Sequence, residues 1–181
     1  MSVLVRPAGD GDHDDVDRIV REAYDHDYGR RDRGADPFRL SVNRALITDV
    51  WLAVDPGTEA QLGNVTVSKV GGEPMMEDTR PDELDFRLLA VAPSARRRGI
   101  GELLTRHVIE LARARGLRGV FMKSGPQMRG AHALYEKIGF RREPDRDGLI
   151  RNGVTQFDLY AFAVDVVDID PARYEYLKGR R

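Results

Sequence analysis

One stretch constrains the fold of this chain more than any other: a strand, an arginine- and glycine-rich loop and an amphipathic helix follow one another without a break. Asp85-Phe86-Arg87-Leu88-Leu89-Ala90-Val91 reads as a strand ending at Pro93, and Ser94-Ala95-Arg96-Arg97-Arg98-Gly99-Ile100-Gly101 is the loop. In the helix that follows, Leu104, Val108 and Leu111 line one face, Glu102 sits at the start, and Arg113 and Arg115 at the end. Those charges suit the helix dipole, and Gly116 is a natural stop. Gly119 to Lys123 reads as a buried strand, which completes a β-loop-α-β unit. The first turn of a helix leaves backbone N–H groups unpaired under positive potential, and glycines let an anion approach them. Three consecutive arginines add formal charge and bidentate donors, a combination that favours a pyrophosphate over a single carboxylate. A tight β-α turn and a solvated charge run are the plainer readings of the same residues. A dinucleotide loop needs a third glycine and an acid about 20 residues on, and a P-loop needs Gly-Lys-Ser/Thr; neither pattern is present.

The remaining chain reads as more of one domain, which 181 residues suit. Ser2 to Arg6 is a short strand. Asp12 is placed to cap a helix to about Tyr24, with Val16, Ile19, Val20 and Ala23 on one face. Phe38 to Thr48 is a second candidate helix, and Val50 to Val54 with Gln61 to Val70 an antiparallel pair. Gly130 to Ile138 is a further helix, and Phe140 to Arg142 pairs with Gln156 to Val166 as a last hairpin. Residues 167–181 are expected to be a frayed tail. With no cysteine, a disulfide framework, a thiolate metal site and a cysteine nucleophile are excluded. His13 and His26 lie in acidic surroundings without metal-ligand spacing, so no metal is expected. A net charge of −1 gives no global field for nucleic acid or an anionic membrane, so neither is expected as a partner. The acidic N-terminal run has no apolar signal-peptide core, and cytoplasmic location is the expectation.

Leu88-Leu89-Ala90-Val91-x-Pro93-x-x-Arg96-x-Arg98-Gly99-Ile100-Gly101, with Leu103-Leu104 after it, resembles the acyl-CoA-binding signature of GNAT N-acetyltransferases. Ala133-Leu134-Tyr135-Glu136-Lys137-x-Gly139-Phe140 resembles that family's second signature, and Val5-Arg6-Pro7-Ala8 with the Asp12 helix its start. The likeness covers residues 2–166, taken as an N-acetyltransferase domain. It implies an α/β fold: a mixed, mostly antiparallel sheet of six or seven strands with helices on both faces. It implies acetyl-CoA as co-substrate, a primary amine of a small molecule or peptide as acceptor, and, since such domains are often dimers, a homodimer. It also implies that the pantetheine arm pairs with the backbone about Leu89, Ala90 and Val91. Amides from Arg96, Arg97, Arg98, Gly99, Ile100, Gly101 and Glu102 would hold the pyrophosphate. Met128 stands about where many members carry an asparagine, a departure that leaves the side-chain contact at that position unassigned. A catalytically inactive acyl-CoA-binding module of the same fold is the alternative function.

Acyl transfer from a thioester to an amine needs a neutral amine, a stabilised oxyanion and a proton for the thiolate. A backbone N–H freed where the strands diverge, with Val91 the candidate, meets the oxyanion. Tyr135 is the candidate acid, since a phenol at about 10 stays protonated beside a thiol at about 8.5. Its alternative is a core residue on the Ala131, Leu134, Ile138 stripe. Asp85 is the candidate base and Glu83 the alternate; both also fit a solvated acidic run. His132 reads as packing, with contact to the cofactor as its alternative. Tyr24, Tyr28, Trp51 and Arg30-Arg31-Asp32-Arg33 come from the region that shapes the acceptor pocket in this family, and read equally as core and surface.

Overall fold

The computed structural model describes residues 2–29, 37–151 and 154–179. A seven-stranded sheet runs in the order β1 (Leu4–Pro7), β2 (Thr48–Val54), β3 (Gln61–Ser68), β4 (Glu83–Val91), β5 (Gly119–Ser124), β9 (Tyr160–Asp165), β6 (Arg141–Arg142). Every neighbouring pair is antiparallel except β4 and β5. A parallel pair needs a crossover, and α3 (Ile100–Ala114) supplies it. The mixed, mostly antiparallel sheet expected from the sequence is therefore present.

Helices cover both faces because the β2 side chains alternate. Val50, Leu52 and Val54 pack on Val16 of α1 (His13–Tyr28), while Trp51 points the other way and stacks on His107 of α3. On the α3 face the core continues through Val65, Val67, Phe86, Leu104 and Val108 to Tyr135 and Ile138 of α4 (Arg129–Ile138). The helix α3 lies between the sheet and α5 (Ala172–Lys178), so even its Thr105, Arg106 and His107 are buried. Among the described residues no helix is long and apolar enough to cross a membrane.

Four local expectations change. Asp12 does not cap α1 with its side chain; its carboxylate accepts from the Gly9 N–H at 2.7 Å and pairs with Arg6 at 2.6 Å. The helix expected over Phe38 to Thr48 contracts to α2 (Ser41–Arg44) behind a 3-10 turn. Phe38, Leu40, Val42, Leu46 and Ile47 all stay exposed, so no buried stripe sustains more turns. The last strands pair as expected, Arg141↔Ala163 and Arg142↔Phe162, but a separate hairpin, β7 (Leu149–Arg151) and β8 (Val154–Phe157), is inserted between them and takes the start of the expected partner strand. Asn152-Gly153 is the turn signal for it in the sequence. Finally, residues 172–178 form α5, docked on α3, rather than fraying.

Candidate active site

The strands β4 and β5 pair only from Glu83↔Gly119 to Asp85↔Phe121, although they run on to Val91 and Ser124. Beyond that point they splay. The opening is a groove of about 420 Å³, walled by residues 86–91 of β4, by Met122, Lys123 and Ser124 of β5, and by Leu134 and Tyr135 of α4. Facing β3, β4 carries a bulge: the register jumps from Asn64↔Ala90 to Thr66↔Arg87 across Leu88, whose φ is 54°. A bulge leaves the extra residue outside the ladder, so backbone groups of β4 are freed beside the groove.

The loop at the wide end turns through Arg97 at φ 58° and Gly99 at φ 82°, and α3 begins at Ile100. Gly99 is suited to its place because the left-handed region carries no Cβ penalty for glycine. Gly101 has a different reason: a Cβ there would lie 3.2 Å from Leu134 Cδ2 and 3.7 Å from Val91 Cγ2. Its missing side chain keeps the groove open between α3, β4 and α4. Arg96 ties the loop to α1, donating to His26 Nδ1 at 2.7 Å and to the Ala23 carbonyl at 3.4 Å. Arg97 and Arg98 are exposed.

The predicted residues divide by place. Leu89, Ala90, Val91, Arg96, Gly101 and Tyr135 all line the groove. Gly99 caps α3 and Ile100 opens it, buried in the core; neither lines the groove. The Glu102 side chain turns away into a knot with Arg106 (3.1 Å), Lys137 (2.9 Å) and Arg173 (3.1 Å). Burial alone would raise this carboxyl, but the bonds from Arg173, Lys137 and Arg106 outweigh it and hold it at about 2. Tyr135 is buried against Phe86, Phe140 and Phe162, with ring centroids 5.7–6.0 Å apart, and so it is at once a core residue and a wall of the groove.

The two acids part company. Glu83 lies outside the groove, in a second cavity at the paired ends of β4 and β5, bound to Arg146 at 2.6 Å. Burial would raise it, but Arg146 and the Arg80 N–H bring it below its ordinary value. Asp85 is fully buried, one step before the splay. Its Oδ2 accepts from the Met76 N–H at 3.0 Å and the Thr79 hydroxyl at 3.1 Å, while Oδ1 has no partner among the described residues. Burial raises its pKa, and these bonds offset only part of the effect.

His132 sits behind the groove, 3.2 Å from the Ser124 hydroxyl and stacked near Phe162, its pKa lowered first by burial. Tyr24 lines the groove, whereas Trp51 is in the core on the α3 face. The Tyr28 side chain and Arg30 to Arg33 lie outside what the structure describes. His13 faces Ser41 at 3.0 Å. No group of three or more metal-binding side chains occurs among the described residues. Sequence reasoning missed Arg87, Lys123 and Arg129 as groove residues. Lys123 is buried and joined to Asp78 (2.6 Å) and the Gly148 carbonyl (2.6 Å), partners no local pattern announces.

The model of the acetyltransferase (GNAT) family matches residues 20–140. A probable N-acetyltransferase, camello, of Xenopus tropicalis is 34% identical over 83 residues, which are 46% of this chain and 37% of that protein. The chain thus matches little more than a third of the length of that relative. A GNAT-family acetyltransferase from Staphylococcus aureus Mu50 superposes with a TM-score of 0.71 at 12% identity, over 91% of this chain and 99% of that one. The PaiA N-acetyltransferase of Thermoplasma acidophilum, solved in complex with coenzyme A, superposes at 0.67 and 13% identity over 91% and 99%.

Proposed function

Because this chain belongs to the GNAT acetyltransferase family, we propose that it transfers the acetyl group of acetyl-CoA to a primary amine of a small molecule or peptide. The observation that carries the proposal is the groove itself. It runs from a helix N-terminus flanked by arginines to a buried tyrosine, along a strand whose bulge frees backbone groups. The coenzyme A in the Thermoplasma relative supports the same co-substrate here.

The roles follow from position. The N–H groups at the start of α3, with Arg96 to Arg98 around them, receive the pyrophosphate. The β4 backbone at Leu89 and Val91 receives the pantetheine amides, and the Val91 N–H is the donor proposed for the oxyanion. The amine nitrogen attacks the thioester carbonyl, the tetrahedral adduct collapses, and the carbon–sulfur bond breaks. Tyr135 gives its phenolic proton to the departing thiolate and recovers one from the amine side through solvent. Asp85 takes the ammonium proton by way of water at Oδ1, the buried carboxylate oxygen without a hydrogen-bond partner among the described residues. Glu83 instead faces its own cavity, where it is bound to Arg146.

The test is free CoA release with a panel of amines, for the wild type and Tyr135→Phe. The variant keeps the ring and its packing, so acetyl-CoA affinity and melting temperature should hold. Its kcat should fall by roughly 10²–10⁴-fold, the usual contribution of a positioned acid. Near-normal turnover by folded Tyr135→Phe would return Tyr135 to the core alone. Absence of CoA release by the wild type with every amine, despite binding acetyl-CoA, would favour an inactive binding module.

A further inference from the structure

We propose that the amine accepted here also carries a carboxylate, and that Arg87 recognises it. The inference rests on the acetyl-transfer reading, because that reading fixes which end of the groove faces the acceptor. Four cationic side chains line the groove: Arg87, Arg96, Lys123 and Arg129. Two of these are engaged, and a third lies at the far end. Arg96 fastens the phosphate loop to α1. The Lys123 side chain is 2% exposed and is engaged by Asp78 and Gly148. Arg129 opens α4 just past the end of β5, at the wide end where β4 also finishes and the phosphate loop begins.

Arg87 combines what none of the three does, an unpaired guanidinium and a place at the other end. It is exposed, it stands at the narrow end where the strands part, and it has no hydrogen-bond or ion-pair partner among the described residues. Other exposed arginines do find carboxylates, Arg80 with Glu83 and Arg118 with Asp165. An unpaired guanidinium in a groove is a carboxylate receptor, because its planar fork matches two carboxylate oxygens.

The register adds a second, independent feature. Arg87 and Asp85 are two residues apart before the bulge, so they share a face of β4, about 7 Å apart along the strand. Opposite Arg87 on β3 is Thr66, whose buried hydroxyl also lacks a partner among the described residues. A cation, a buried hydroxyl and a buried acid with one unpartnered oxygen are thus arrayed along one face, the cation alone lining the groove. A molecule with both an amine and a carboxylate is the complementary shape: carboxylate toward Arg87, amine toward the water that serves Asp85. A simple amine satisfies only half of the array.

Matched amines differing only in carboxylate against carboxamide test this, with free CoA release compared at equal concentrations of unprotonated amine. The wild type should favour the acid member in kcat/KM by about 10- to 100-fold, the range for a charge-assisted hydrogen-bonded pair. Arg87→Gln should bring the ratio close to one, chiefly through KM, while acetyl-CoA still raises the melting temperature. Arg87→Lys should restore part of the ratio, keeping the charge without the fork. A wild-type ratio near one, or a ratio kept by Arg87→Gln, overturns the proposal. Should no amine turn over, the acetyl-transfer reading falls separately, and binding decides. The acid members must then raise the melting temperature of the CoA-saturated protein more than the amides do, with that excess lost in Arg87→Gln. Equal shifts overturn the carboxylate proposal on their own.

Discussion

Replacing Asp85 by asparagine separates its two possible duties, holding the loop of Met76 and Thr79 and accepting a proton. Asparagine keeps an oxygen for the Met76 N–H and the Thr79 hydroxyl, so the loop should stay in place. What is lost is the ability to take a proton. With Asp85 as base, kcat/KM of Asp85→Asn should drop most at low pH, where the amine arrives as ammonium, and recover toward high pH. A loss of equal size across the pH range would assign Asp85 to the loop alone. The burial that raises its pKa also makes it a stronger base once ionised. This was not readable from the run Asp82-Glu83-Leu84-Asp85, which as a string is only acidic. What distinguishes Glu83 from Asp85 is which neighbours the fold sets beside them: Arg146, 63 residues on, for one and the loop of Met76 and Thr79 for the other.

At the scale of elements, the loop between β4 and α3 was legible because its information is local. Apolar runs, glycines and charges at fixed spacing specify a strand, a turn and a helix by themselves. The docking of α5 was not legible, because its energy comes from contacts distant in sequence. Tyr174 lies 2.7 Å from His107 Nδ1, 67 residues away, and Arg173 reaches Glu102. The consequence is measurable. Burial first, then the charge of Lys178, lowers the His107 pKa from 6.5 to about 4. Between those values the unfolded chain binds a proton that the folded one refuses. Stability should therefore fall as pH drops from about 6.5 to 4, by at most about 3 kcal/mol, with no further loss from this group below. The contribution of Glu102 fades in a lower window, from 4.5 to about 2. A chain ending at Asp170 loses α5, exposes His107 and should melt lower at neutral pH, with the slope between pH 6.5 and 4 flattened. Retention of that slope would mean that α5 does not bury His107 in solution.

In the whole molecule, these parts meet at the splay of β4 and β5, which aligns the loop before α3, the bulge and α4 along one groove. The paired signatures foretold that meeting through family resemblance. The sequence did not disclose that Gly101, Val91 and Leu134 meet as one wall of it, since that depends on how α3 and α4 pack. Calorimetric titration with acetyl-CoA of the wild type and Gly101→Phe tests the placement most directly. The phenyl ring must occupy the space between Val91 and Leu134, where a Cβ alone already lies 3.2 Å from Leu134. The expected result is saturable binding by the wild type, and binding weakened by at least about 100-fold, or abolished, in a variant that still melts cooperatively. The same dissociation constant for both proteins would place acetyl-CoA elsewhere on the molecule and contradict the account.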